Sequence, residues 1–131
     1  MAGVREALLD TSVLVAHLRE RMDLADHAEE GTNWYLSVIS QGELIEGVLT
    51  SSQSNTNEVK LRALLSGMGI LPATEETAEC YARIASYLKS RGTMIPQNDM
   101  WIAACALEHD LPLATRDAHF QRVKDLQVLM W

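Results

Sequence analysis

Ala7-Leu8-Leu9 is a wholly apolar run, and Asp10-Thr11-Ser12 ends it abruptly. A short continuous apolar run bounded in this way is the pattern of a strand buried on both faces of a parallel sheet. Val13-Leu14-Val15-Ala16-His17-Leu18 follows and reads at helical period. Asp10 then stands where a buried strand ends and a helix begins, at the edge of an α/β sheet where ligands bind. Two roles fit such an acid. It can cap the next helix, as can Thr11. It can also be an ionised group beside a buried strand, which is costly unless something pairs with it, and a metal ion would do so.

The alternation continues. Met22 to Glu30 predicts a short helix closed by Gly31. Trp34-Tyr35-Leu36-Ser37-Val38-Ile39 is aromatic and β-branched and predicts a second strand. Ser40, with Glu43 three residues on, predicts a capping box at the start of a helix from Gln41 to about Leu49. Thr50 to Asn57 is polar and predicts the flexible loop of the molecule. Leu61, Leu64, Leu65 and Met68 form an amphipathic stripe ended by Gly67 and Gly69. Ile70-Leu71-Pro72 is a short third strand. Thr74 and Glu76-Thr77 open another helix, striped by Tyr81, Ile84, Ala85 and Leu88 and closed by Gly92. The run Met100 to Leu107 is apolar all round, which marks a central buried helix. Pro112 to Thr115 is a fourth strand and Val128-Leu129-Met130 a fifth. Strands alternating with helices predict a three-layer α/β/α fold around a parallel sheet of four to five short strands.

The 131 residues fit one domain over 1–131, with length for a real core. No apolar run approaches the ~20 residues of a membrane span, and Met1 to Glu6 carries no signal-peptide pattern, so the expected compartment is the cytoplasm. The formal net charge of -7 disfavours non-specific affinity for nucleic acid, which rests on neutralising phosphates. It leaves room for a nuclease, whose metal site is itself acidic, and it suits a basic partner. Cys80 and Cys105 form no Cys-x-x-Cys pair and fall within predicted helices, so they read as inert thiols.

The acids form a set. Asp10 follows the first strand, Glu43 lies near the start of the helix after the second, Asp99 begins the buried helix, and Asp117 follows the fourth strand. Glu46 lies at i+3 from Glu43 on much the same helix face. Each alone fits a helix terminus or a turn. Together, over a parallel α/β pattern, they predict convergence at one sheet edge. Clustered carboxylates repel, so a shared site calls for a hard cation such as Mg²⁺ or Mn²⁺.

Four stretches carry a resemblance. Leu9-Asp10-Thr11-Ser12-Val13-Leu14, Glu43-Leu44-Ile45-Glu46-Gly47, Asp99-Met100-Trp101-Ile102-Ala103-Ala104-Cys105-Ala106-Leu107 and Leu113-Ala114-Thr115-Arg116-Asp117-Ala118-His119-Phe120 resemble a PIN domain, more narrowly a VapC-type toxin ribonuclease of bacterial toxin–antitoxin pairs. The resemblance implies a Mg²⁺- or Mn²⁺-dependent endoribonuclease with Asp10, Glu43, Asp99 and Asp117 as its catalytic acids. Asp10, Asp99 and Asp117 would hold the metal, with Glu43 able to join. Thr11, Ser12 and Thr115 would support them through their hydroxyls, with Glu46 beside them. Asp117 stands where the family often has Asn, and His119 where it often has an acid; no catalytic role falls to His119. Gly47 would let the Glu43 helix pack closely on a neighbour. The partners implied are RNA, contacted by Arg116 and Arg122, a cognate VapB-like antitoxin placing basic groups on the acids, and a second copy in a homodimer. The stripes on Leu61-Leu64-Leu65-Met68 and Tyr81-Ile84-Leu88, with the Trp34 region, would supply the dimer's apolar surface. His17, His27 and His109 have no ligand-spaced partner.

Two other functions fit an α/β domain of this kind. One is a phosphoryl-accepting domain with Asp10 as nucleophile, although the adjacent acid pair of a receiver and the Asp-x-Asp of the phosphatase group are absent from the sequence. The other is a non-catalytic PIN-like interaction domain, against which stands the retention of all four acids.

Overall fold

Val4–Leu9 forms the first strand, β1, and alternate residues of its apolar run enter different cores. Ala7 and Leu9 pack on one side and Leu8 on the other, all three fully buried. The computed structural model describes residues 3–131. Met1 and Ala2, the head of the N-terminal stretch without a signal-peptide pattern, lie outside the described residues.

The remaining strands are β2 (Ala28–Ser37), β3 (Gly69–Leu71), β4 (Leu113–Thr115) and β5 (Val128–Met130). They build one parallel sheet in the order β3-β2-β1-β4-β5. Helices α1 (Thr11–Leu18), α2 (Val38–Leu49) and α3 (Ser54–Leu65) share a core with Ala7 and Leu9, through Val13, Leu14, Leu44, Val48, Leu61 and Leu65. Helices α4 (Glu75–Arg91) and α5 (Gln97–Glu108) share the other with Leu8, through Ile84, Leu88 and the buried run Ile102 to Ala106. This is the expected three-layer α/β/α arrangement, with five strands. Because β2 and β4 flank β1 on opposite sides, the chain reverses its direction of sheet growth between β1 and β4. A crevice opens at the carboxyl ends of strands at such a reversal. Among the described residues no helix is long and apolar enough to cross a membrane.

Several local expectations are corrected. The predicted Met22–Glu30 helix is only a 3₁₀ turn, Leu24–His27, capped by Asp23. From Ala28 the chain is already strand, and Gly31, at φ +80°, sits inside β2 rather than ending a helix. The β1–β2 register slips there, and the Thr32 hydroxyl closes the bulge, accepting from Glu29 N and lying 2.7 Å from both the Val4 and Glu29 carbonyl oxygens, which share its one proton. A positive-φ glycine serves a helix end and a bulge equally, so its identity does not separate the two. Helix α2 starts at Val38, three residues before Gln41, and its cap is Ser37, whose hydroxyl accepts from Ser40 N at 3.1 Å. Val38 and Ile39 favour strands, but that preference is weak beside the need to leave the sheet at its edge. The polar stretch 50–57 is half helix, since α3 begins at Ser54. A Cβ on Gly47 would meet nothing within 4 Å, so the close-packing role expected of it is absent. Leu61, Leu65, Ile84 and Leu88 are buried in the chain's own cores, so these members of the stripes supply no surface for self-association, while Leu64, Met68, Tyr81 and Trp34 remain partly exposed.

Ser37 fixes where α2 starts, and therefore where Glu43 falls. Ser37→Ala should lower the unfolding free energy by about 1 kcal/mol in urea, the usual cost of losing such a cap. An unchanged unfolding midpoint would mean that another group caps α2.

Candidate metal centre

Asp10 is 3% exposed, immediately after β1. Its Oδ1 accepts from Thr11 N at 2.8 Å. Its Oδ2 accepts from the Ser12 hydroxyl at 2.7 Å and from the Thr115 hydroxyl at 2.8 Å. Asp10 therefore caps α1, as its position alone suggests. Burial raises the Asp10 pKa despite hydrogen bonds from Ser12, Thr115, Thr11 N and Ser12 N, which lower it. Desolvation wins, and a nearby cation would relieve it. To act as a nucleophile, the group would have to attack from within this set of hydrogen bonds.

The other acids are wired to the same point. Thr115, fully buried at the end of β4, donates its hydroxyl to Asp10 and accepts from Asp117 N at 3.0 Å. The bond from Thr115 to Asp10 thus crosses the sheet reversal between β4 and β1. Ser12 accepts from Arg116 N at 3.1 Å, tying α1 to the same turn. The Thr11 hydroxyl lies 2.7 Å from Glu43 Oε1 and 3.1 Å from the Ser40 hydroxyl. Glu43 Oε2 has a longer contact with Asn98 Nδ2, at 3.4 Å. Asp99 lies in the first turn of α5, where the helix dipole favours an acid. Burial, and then the charges of Asp10, Asp117 and Glu43, push the Asp99 pKa from 3.8 to about 6, while His119 draws it back. The other three acids predicted from sequence are therefore close enough to act on Asp99.

Asp99, Asp117 and His119 each offer one ligand atom, and these atoms lie within 4.8 Å of one another. That donor set fits a divalent cation better than it fits no ion, since its carboxylates repel and share no counter-charge of equal size. His119 is the member that sequence reasoning misses. The signals for it are its place two residues after Asp117, in a turn that Asp117 caps, and its standing where the family often has an acid.

Other expected residues stand further off. Glu46 is exposed, and no side-chain hydrogen bond joins it to the acids among the described residues. Arg116 and Arg122 are both exposed, and they donate to the Trp131 and Met94 carbonyls at 3.3 and 3.2 Å. His17 accepts from Leu24 N, His27 stacks on Trp131, and His109 caps the end of α5. The Cys105 thiol is buried and pushed up to about 12, and burial pushes the Cys80 thiol up as well, so neither is poised to react. A groove of about 240 Å³ between α1, α2 and α3 is lined by Val15, Leu44 and Val48 and reaches the acids only at Glu43.

Residues 7–126 match the PIN domain family. The chain belongs to that family. It is 33% identical over 129 residues to ribonuclease VapC4 of Mycobacterium tuberculosis, covering 97% of this chain and 98% of the relative. Its fold superposes on the solved structure of VapBC-1 from nontypeable Haemophilus influenzae with TM-score 0.86 and 27% identity, covering 96% of this chain and 98% of the other. The likeness to VapBC2 of Rickettsia felis, TM-score 0.89 at 24% identity with 96% and 98% covered, concerns the fold.

The raised Asp99 value has a definite consequence for stability. The folded, metal-free chain holds this proton more tightly than the unfolded chain does. Its contribution therefore favours folding at low pH and is lost as pH rises from about 4 to about 6. Asp99→Asn removes the penalty. In urea titrations without metal, the variant should gain on the wild type at about pH 7, and the gain should shrink at about pH 5. A difference independent of pH would contradict the charge crowding at this sheet edge.

Proposed function

We propose that the chain is a metal-dependent endoribonuclease, a VapC-like toxin that hydrolyses RNA phosphodiester bonds and is held in check by a cognate VapB-like antitoxin. The observation that carries this reading is the approach of Asp99 and Asp117 to within ligand distance of each other at the carboxyl edge of the sheet, with the charges of Asp10 and Glu43 near enough to act on Asp99, so that burial and repulsion call for a cation. Near full-length relatives named ribonuclease support the choice of substrate, and the solved structures of a VapBC toxin–antitoxin family member from Mycobacterium tuberculosis and a toxin–antitoxin complex from Klebsiella pneumoniae support the choice of partner.

The residues divide the work. Asp99 and Asp117, with Asp10 beside them, would hold Mg²⁺ or Mn²⁺. A bound divalent ion supplies Lewis-acid charge at the scissile phosphate. Thr11, Ser12 and Thr115 fix the carboxylates in place, and the cost of ordering them is met during folding rather than at the moment of reaction. Glu43, held firmly on one oxygen and only by the longer Asn98 contact on the other, would take a proton from an attacking water through that second oxygen. Arg116 and Arg122 are exposed near the turn bearing Asp117 and would contact RNA phosphates locally, since the whole-chain charge is repulsive. The same charge suits a basic segment of an antitoxin laid against the acids. A homodimer, implied by the resemblance, would draw on exposed apolar groups such as Val38 and Ile70.

Asp10→Asn and Asp99→Asn should lower RNA cleavage by orders of magnitude while leaving the circular dichroism spectrum of the fold intact, and a chelator should do the same to the wild type. Full cleavage by either variant would refute the assignment.

A further inference from the structure

We propose that His119 is a metal ligand of this chain, and that its nitrogen turns the acidic site toward a first-row transition ion such as Mn²⁺ in preference to Mg²⁺. The inference rests on the metal-dependent reading of the site and makes it specific. His119 lies in the 3₁₀ turn Ala118–Arg122 that follows β4, and the turn is capped by Asp117. His119 N donates to Asp117 Oδ1 at 2.9 Å, which pins the residue beside that carboxylate. Its imidazole Nδ1 lies 3.0 Å from Asp117 Oδ1 and 3.3 Å from Oδ2.

Those distances are informative. Two adjacent ligands on an octahedral ion with bonds of about 2.1 Å stand about 3.0 Å apart. The imidazole and the Asp117 carboxylate are therefore already spaced as neighbouring ligands. Asp99, arriving from the start of α5, brings a third ligand atom within 4.8 Å of both. In the absence of an ion the same spacing leaves the His119 ring nitrogen directly against the Asp117 carboxylate. The ion and the proton compete for one nitrogen lone pair, so the pair marks where an ion would bind and does not argue against one. Imidazole suits transition ions, whereas Mg²⁺ prefers oxygen and gives up its waters reluctantly. Exchanging an oxygen donor for this nitrogen therefore costs Mg²⁺ more than it costs Mn²⁺. His119 is exposed, so its replacement leaves the two cores untouched.

The test is calorimetric titration of the metal-free, full-length chain with Mn²⁺ and, separately, with Mg²⁺. It compares the wild type with His119→Ala, His119→Asp and Asp99→Asn. His119→Ala should lose Mn²⁺ affinity by about tenfold or more, no less than the loss of a residue that merely orients a ligand, with Mg²⁺ affinity little changed. His119→Asp should tighten Mg²⁺ and narrow the preference. Mn²⁺ should also broaden the His119 ring resonances in the wild type before those of His17, His27 and His109. Unchanged Mn²⁺ affinity in His119→Ala, or equal losses for both ions, would overturn the role given to His119. Wild-type binding of both ions by Asp99→Asn would instead overturn the metal centre itself.

Discussion

A single buried carboxylate organises this molecule. Asp10 ends the central strand and receives hydrogen bonds from Thr11 N and from the Ser12 and Thr115 hydroxyls. Those bonds join β1, α1 and β4 at the point where the sheet reverses its growth. Each bond to a charged acceptor contributes about 1.5–3 kcal/mol, yet burial still prevails and the Asp10 pKa stays raised. The fold thus holds a charge that it does not fully neutralise. A structure concerned only with stability would place an apolar residue there.

The other acids share that condition. Asp99 enters in the first turn of a helix anchored in the core by Met100 and the buried run Ile102 to Ala106, which fixes its backbone at the sheet edge. Asp117 is fixed by the turn it caps, and Glu43 by the Thr11 hydroxyl. No buried side-chain polar atom lacks a hydrogen-bond partner among the described residues. The tension at the site is therefore not one of missing hydrogen bonds. It is one of excess negative charge held in place by well-satisfied neighbours, and a divalent ion answers that demand directly. The open sheet edge, rather than the groove between α1, α2 and α3, is where a long polymer could reach the acids.

Much of this architecture is legible in the amino-acid sequence. The short apolar runs mark the strands and α5, and so place Asp10, Asp99 and Asp117 at their ends. The strand order is not legible, because short apolar strands do not name their neighbours, and the proximity of the acids depends on it. Ser37 and Ser40 are equally good caps by composition, and only the length of β2's pairing with β3 decides between them. Gly31 carries a helix-end signal and sits in a bulge. The leucine stripes read as surplus surface because two separate cores on the two sheet faces cannot be counted from one strand pattern. His119 escapes sequence reasoning for a tertiary reason: its neighbour Asp99 is twenty residues away in sequence and arrives from another element.

Binding of one divalent ion at this sheet edge is the central claim. Crystals of the full chain grown or soaked with Mn²⁺ and measured near the manganese absorption edge would locate the ion by its anomalous scattering. The expected result is a peak about 2.0–2.3 Å from carboxylate oxygens of both Asp99 and Asp117. A map with no peak among these carboxylates at saturating Mn²⁺, or with its peak on a different face of the molecule, would contradict it.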